Sequence, residues 1–395
     1  MDRQPLLRAL RDRPLHTPAF VYDEAQLFAD IRHARSAFGT GSAELLFALK
    51  SFAIEGGLRV IAAHVEGFHA SSLFEAKLAR YLLKGSGTVH LTTPGLRADE
   101  IHEICDLCDV VTFNSMSQWE RFREIATSKV KCGLRVNPQL SVLDDERYDP
   151  CRRHSKLGEP INRLSDIALH APDRLEGLSG VLVHNNCEAR DFRSLLQTVM
   201  RVTDQLGPLL RRLDWINLGG GYLFYGADDL TPLGDAIRRL RNDYRLNIVF
   251  EPGASIVDRA GYFVASVVDL FESEGKQIAV LDTSVNHMPE AFEYQFSPDV
   301  VGQVADGHWV YLLAGCTCLA GDLFGTYAFG EPLTVGSRLI FENAGAYTLV
   351  KAHFFNGVNL PTIYAFTQDG HLRLERRYSF DDFLVHCGVS GCGRP

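Results

Sequence analysis

The sequence predicts an α/β protein: a (β/α)8 TIM-type barrel joined to a C-terminal β domain. Two observations carry this. Between residues 45 and 251, eight short apolar or β-branched runs alternate with stretches of helical spacing. After residue 260 the texture changes to short β-rich segments punctuated by Gly and Pro, with few helices between them. A doubly wound parallel sheet alternates in the same way, and a strand count alone does not separate the two.

Residues 17–23 (TPAFVYD) read as a strand that precedes the barrel and could join it. The eight barrel strands follow near 45–50 (LLFALK), 67–71 (GFHAS), 88–92 (TVHLT), 109–113 (DVVTF), 131–136 (KCGLRV), 179–184 (SGVLVH), 215–218 (WINL) and 247–251 (NIVFE). Unbroken apolar runs such as Leu45–Leu49 suit strands buried on both faces. Helix candidates between them include SSLFEAKLARYLLKG, ending on Gly85 as a C′ residue, SMSQWERFREIAT and DFRSLLQTVMRVTDQLGPLLRRL. Later strands are GYFVASVVDLF, QIAVLDTS, HWVYLLAG, SRLIFEN and PTIYAFT. The expected division is a barrel over 25–262 and a β domain built from 1–24 and 263–395.

Composition narrows the function. At 395 residues, one large domain with a smaller one is the default. The 46% hydrophobic and 23% charged content is that of a soluble globular protein. A formal charge of −9 argues against nucleic-acid binding and leans slightly toward a cationic small substrate. The N-terminal MDRQPLLRALRDRPLH is charged throughout, unlike a signal peptide, and no run approaches the roughly 20 apolar residues of a membrane span. Nine scattered cysteines fit a reducing cytoplasm. Cys105 and Cys108 form a lone CxxC without a second pair, so no metal is expected.

In a barrel of this kind, chemistry sits at the carboxyl ends of the strands. Those positions hold Lys50, Ser71, Ser72, Thr92, Asn114, Arg135, Asn137, His184, Gly219 to Gly221 and Glu251. Strands often give way to polar loops, but a lysine, a histidine and a glutamate closing apolar runs ask for more. Desolvation lowers a lysine pKa and favours a neutral amine able to form a Schiff base. A lysine snorkelling from a strand end gives the same pattern. Three glycines in WINLGGGY let backbone N–H groups approach phosphate, or make a tight turn. Glu251 in VFEPGAS suits a carboxylate beside a pyridine nitrogen, or a structural ion pair. The ring of His184 in GVLVHNNCE could stack on a cofactor or serve the fold.

The order of lysine, histidine, GGG and EPG resembles the fold type III pyridoxal-phosphate-dependent decarboxylases, the ornithine and diaminopimelate decarboxylase group. FALKSF, SSLFEAKLA, LRVNPQLS, YDPC with SKLG, LDTSVNHMPE, CTCLAGDLFG and ENAGAYTLVKAHFFNGVNLP are most similar to its carboxynorspermidine decarboxylase branch. The resemblance implies pyridoxal 5′-phosphate as cofactor, with Lys50 bound to it, His184 stacked on its ring and Glu251 at its nitrogen. Gly219, Gly220, Gly221 and Tyr347 would hold the phosphate. Cys318 would protonate the carbanion, and Asp322, Glu290 and His287 would contact the substrate. It also implies a homodimer with shared active sites, Cys318 and Asp322 entering from the partner. The expected reaction is decarboxylation of carboxynorspermidine or carboxyspermidine. Three segments depart from the family pattern: AGCTC sets Cys316 two residues before Cys318, Ser297 stands where an arginine is expected, and LVHNN replaces the usual histidine motif. Another amino-acid or natural-product decarboxylase, a racemase and an inactive homologue therefore stay open.

Overall fold

Eight parallel strands close into a barrel in a computed structural model of the chain, which describes residues 2–39 and 41–389. In chain order the strands are β1 (Ala19–Asp23), β2 (Glu44–Ala48), β3 (Gly67–Ala70), β4 (Thr88–Thr93), β5 (Val110–Phe113), β6 (Lys131–Asn137), β7 (Glu159–Pro160), β8 (Leu178–Val183), β9 (Trp215–Asn217) and β10 (Asn247–Phe250). The ring runs β2-β3-β4-β5-β6-β8-β9-β10, and β10 pairs back onto β2. The two-residue β7 is an extra edge on β6. Parallel neighbours need crossovers, and the helices supply them. Two helix starts are legible in the chain: the Ser72 hydroxyl accepts from Glu75 N, and Ser115 from Gln118 N. The first of these helices ends at Lys84 in the left-handed region, followed by Gly85 at φ +90°.

The barrel interior is packed at the level of Trp215. A Cβ on Gly133 would lie 2.4 Å from its indole and one on Gly180 2.0 Å from it, so β8, the neighbour of β9, and β6 beyond it carry glycine there. This plug leaves the opposite end of the strands as the place for chemistry. Lys50 does not close a strand as expected. β2 stops at Ala48, where its ladder with β3 ends at Ala48↔His69, and Leu49–Ser51 forms one 3-10 turn.

The second sheet comprises β11 (Gly261–Ser273), β12 (Lys276–Leu281), β13 (Trp309–Ala314), β14 (Leu323–Phe329), β15 (Arg338–Phe341), β16 (Thr362–Phe366), β17 (Leu372–Arg376) and, within it, β1. β1 lies antiparallel to β11 and parallel to β16, with all five residues buried. Residues 17–23 thus belong to this sheet and not to the barrel: a strand that apolar is stable only with a neighbour on each edge. The helix Gln4–Asp12 packs Leu6, Leu7 and Leu10 against Val21, Tyr262, Val264, Ile340, Tyr364 and Phe366. By their contacts, Phe28–Lys50 and Leu58–Ile256 form one unit; the rest of the described chain, including Ser51–Gly57, forms the other. No described helix is long and apolar enough to cross a membrane.

Candidate active site

Around Lys50 the barrel gathers His69, Arg135, His184, Asn217 and Glu251. Lys50 keeps a surface open to solvent, yet this shell lowers its pKa, first by desolvation and then through the charge of Arg135. Glu251 is 7% exposed. Burial pushes its carboxyl up to about 7, against the Asn217 hydrogen bond and the charges of Lys50 and Arg135. Asn217 Oδ1 accepts from Gly219 N at 2.8 Å, so its amide nitrogen faces Glu251 Oε1 and donates to it. His184 Nδ1 accepts from Gly220 N at 3.3 Å, which leaves the ring proton on Nε2. Burial, then Lys50, holds this ring well below the usual histidine range, so it is a flat neutral surface.

The glycines are required sterically. A Cβ would fall 2.7 Å from His184 at Gly219, 2.4 Å from the Glu251 carbonyl at Gly220 and 2.1 Å from the Asn186 carbonyl at Gly221. Gly219 and Gly221 also hold φ of +69° and +84°, a region that favours glycine. Two of the three N–H groups expected to face phosphate, those of Gly219 and Gly220, have partners inside the chain.

These residues fit pyridoxal phosphate. The coenzyme requires an amine for its aldehyde, a carboxylate for its ring nitrogen, a planar neighbour and a close backbone approach for its phosphate. Lys50, Glu251, His184 and the glycine turn supply them. Arg135 strengthens the fit: it is 9% exposed, its Nε lacks a partner and burial lowers its pKa to about 10. A buried guanidinium left in that state calls for an anionic group.

The remaining predicted residues lie in the sheet unit. Cys318 is exposed, its N–H donating to Asn356 Oδ1 at 2.8 Å. The resemblance places Asp322 and His287 on the substrate; the structure buries both, at 2% and 0% exposure. Asp322 accepts from Val285 N at 2.8 Å and Thr317 N at 3.1 Å, and also from the Thr317 hydroxyl. Its carboxylate therefore folds the loop that presents Cys318. His287 Nδ1 sits 2.9 Å from Thr283 Oγ1, and burial lowers its pKa to about 4. Glu290 is half-buried and pairs with Lys351 Nζ at 3.1 Å. Tyr347 stands at φ +54°, its N–H on the carbonyl of Ser51, the residue after Lys50. Burial pushes the thiols of Cys105 and Cys108 up to about 11 and 12, and no described group of His, Cys, Asp or Glu is arranged to hold a metal.

His69 and Asn217 were invisible to a reading of strand ends: His69 lies inside β3, and Asn217, the last residue of β9, falls inside the longer strand read from WINL. Their signal was a polar residue within an otherwise apolar run, in GFHA and WIN.

The family described as "Pyridoxal-dependent decarboxylase, C-terminal sheet domain" matches residues 19–345. A carboxynorspermidine/carboxyspermidine decarboxylase of Herminiimonas arsenicoxydans is 36% identical, covering 94% of this chain and 99% of that protein. A carboxyaminopropylagmatine decarboxylase of Synechocystis is 35% identical, covering 95% and 96%. The crystal structure of carboxynorspermidine decarboxylase from Campylobacter jejuni, complexed with norspermidine, superposes with a TM-score of 0.84 at 29% identity, covering 94% of this chain and all of that one. At this identity and coverage the chain belongs to the pyridoxal-dependent decarboxylase family, carboxy-lyases that work through pyridoxal phosphate.

Proposed function

We propose that this chain decarboxylates a carboxylated polyamine, carboxynorspermidine or carboxyspermidine, to norspermidine or spermidine. The reaction type rests on one observation above all: a lysine of lowered pKa set beside a buried, raised-pKa glutamate at the carboxyl end of a barrel. The substrate rests on the names carried by the similar proteins. The Synechocystis relative supports a second reading, carboxyaminopropylagmatine, whose far end is a guanidine rather than an amine.

Pyridoxal phosphate, when bound, supplies the electron sink for the pair released from the Cα–carboxylate bond. The chain does the rest. Lys50 would hold the coenzyme covalently, and desolvation shifts its free amine toward the neutral, nucleophilic form. Glu251 keeps the ring nitrogen protonated, while Asn217 fixes the direction of its carboxylate. His184 presents its neutral face to the ring. Gly219 to Gly221 admit the phosphate, with the Tyr347 hydroxyl as a further donor, and Arg135 offsets negative charge. The Cys318 thiol delivers its proton to the carbon that has lost CO2. Asp322 and His287 hold the Cys318 loop and its base in place, and the carboxylate of Glu290 is offered to a substrate amine.

The chain works as a homodimer, one protomer's Cys318 completing its partner's site, and it acts in the cytoplasm. The free state of all eight described cysteines supports the latter. Release of CO2 should be measured across carboxynorspermidine, carboxyspermidine, carboxyaminopropylagmatine, diaminopimelate, ornithine and lysine. The reading predicts the highest kcat/KM on the first two. Preference for carboxyaminopropylagmatine selects the second reading, and racemisation without CO2 release rejects both.

A further inference from the structure

We propose that His69 is a positioning residue for Glu251: its Nε2 and the Asn217 amide together hold Oε1, leaving Oε2 alone to meet the ring nitrogen of pyridoxal phosphate. The inference rests on the placement of Glu251 at that nitrogen. His69 is 6% exposed, and neither of its ring nitrogens has a hydrogen-bond partner. Burying an imidazole without partners is unfavourable, so its place in the barrel asks for a reason. Its Nε2 stands 3.6 Å from Glu251 Oε1, about 0.7 Å beyond hydrogen-bond length. That is the same oxygen that accepts from Asn217.

The surroundings fix the direction of the bond. Burial, and after it the charges of Lys50, His90 and Arg135, hold His69 well below the usual histidine range, so the ring stays neutral. A neutral imidazole whose Nε2 carries the proton is a donor to the carboxylate. Donation to Oε1 favours the anion of Glu251, opposing the burial that raises its pKa. A carboxylate held anionic and aimed through Oε2 favours a protonated ring nitrogen. The strand register accounts for the reach: His69 pairs with Ala48, two residues before Lys50.

The test uses holoenzyme reconstituted with pyridoxal phosphate labelled with 15N in its ring. In His69→Gln the amide nitrogen reaches the position of Nε2; in His69→Asn it reaches only that of Nδ1. His69→Gln should keep the chemical shift of a protonated ring nitrogen and a kcat within about threefold. His69→Asn should move the shift toward the unprotonated value and lower kcat about tenfold with KM nearly unchanged, the loss expected for one hydrogen bond to a charged group. Glu251→Gln run alongside separates the two levels of the argument. If it leaves the shift unmoved, the placement of Glu251 fails. If it moves the shift while His69→Asn matches the unsubstituted enzyme, only the role of His69 fails. A measurement free of substitutions completes the test: 15N NMR of the histidine rings should show His69 protonated at Nε2, and protonation at Nδ1 overturns the proposal.

Discussion

At the scale of single residues, the barrel mouth works by leaving charges short of compensation. Burial is the largest cause shifting the pKa values of Lys50 and Arg135 down and of Glu251 up, and the Glu251 charge opposes the shifts of the other two. Lys50, His184 and Glu251 were legible because each closes an apolar run. The buried settings of Asp322 and His287 were not, because a motif match names a residue without saying which atoms it touches. Cys318 offers a direct check at this scale. Its side chain is exposed and supports no buried packing, so Cys318→Ala should retain the coenzyme's visible absorption. Product formation should fall about 100-fold, the range of general acid catalysis, or be diverted to an aldehyde. Unchanged turnover with unchanged product would remove the thiol from the mechanism.

At the scale of elements, the turn after β9 and the loop before β14 decide how the site is held. In the glycine turn each Cα lies against a backbone or ring atom, so a methyl has no room and two of the φ values disfavour it. Gly221→Ala should lower coenzyme affinity about tenfold or more and reduce the Tm of the loaded protein, read by titration and thermal melting. Affinity equal to the unsubstituted protein would show that the turn does not face the phosphate. In the Cys318 loop, Asp322→Ala strands the buried N–H of Val285, at about 1–3 kcal/mol, and the half-buried N–H of Thr317, and should lower stability accordingly. The barrel strands were legible because each is an apolar run bounded by polar residues. β14 and β17 were not, since β14 mixes buried, half-buried and exposed positions and β17 has only half-buried and exposed ones. The position of β1 in the second sheet depends on partners more than 230 residues away, such as Phe20↔Phe263, which no local pattern reports.

At the scale of the whole molecule, buried histidines set the response to acid. His69, His90, His184 and His287 all have pKa values lowered chiefly by burial, to about 4 for His90 and His287. Their ordinary value is 6.5. A depressed folded-state pKa gives stability that is present above pH 6.5 and is lost as pH falls toward 4, up to about 3 kcal/mol for each of these two. Glu251 acts oppositely in the coenzyme-free protein: its contribution is complete below its ordinary 4.5 and disappears as pH rises through about 7. Burial also raises the pKa values of Glu44, Glu75, Glu188 and Asp282, which act in the same direction as Glu251, but the large histidine shifts reach further, so urea melts of the coenzyme-free protein should show stability falling below pH 6.5. His90→Gln should flatten that fall, and an unchanged slope would contradict the assignment. The barrel and the second sheet were both legible as textures of the sequence, whereas this acid response depends on burial that only the folded chain reveals. The central claim, that Lys50 is the covalent anchor of the coenzyme, is tested most directly by reducing the loaded enzyme with borohydride and mapping the pyridoxyl group by peptide mass spectrometry. The account predicts the adduct on Lys50 and its absence in Lys50→Ala; an adduct on any other lysine of the unsubstituted protein would contradict it.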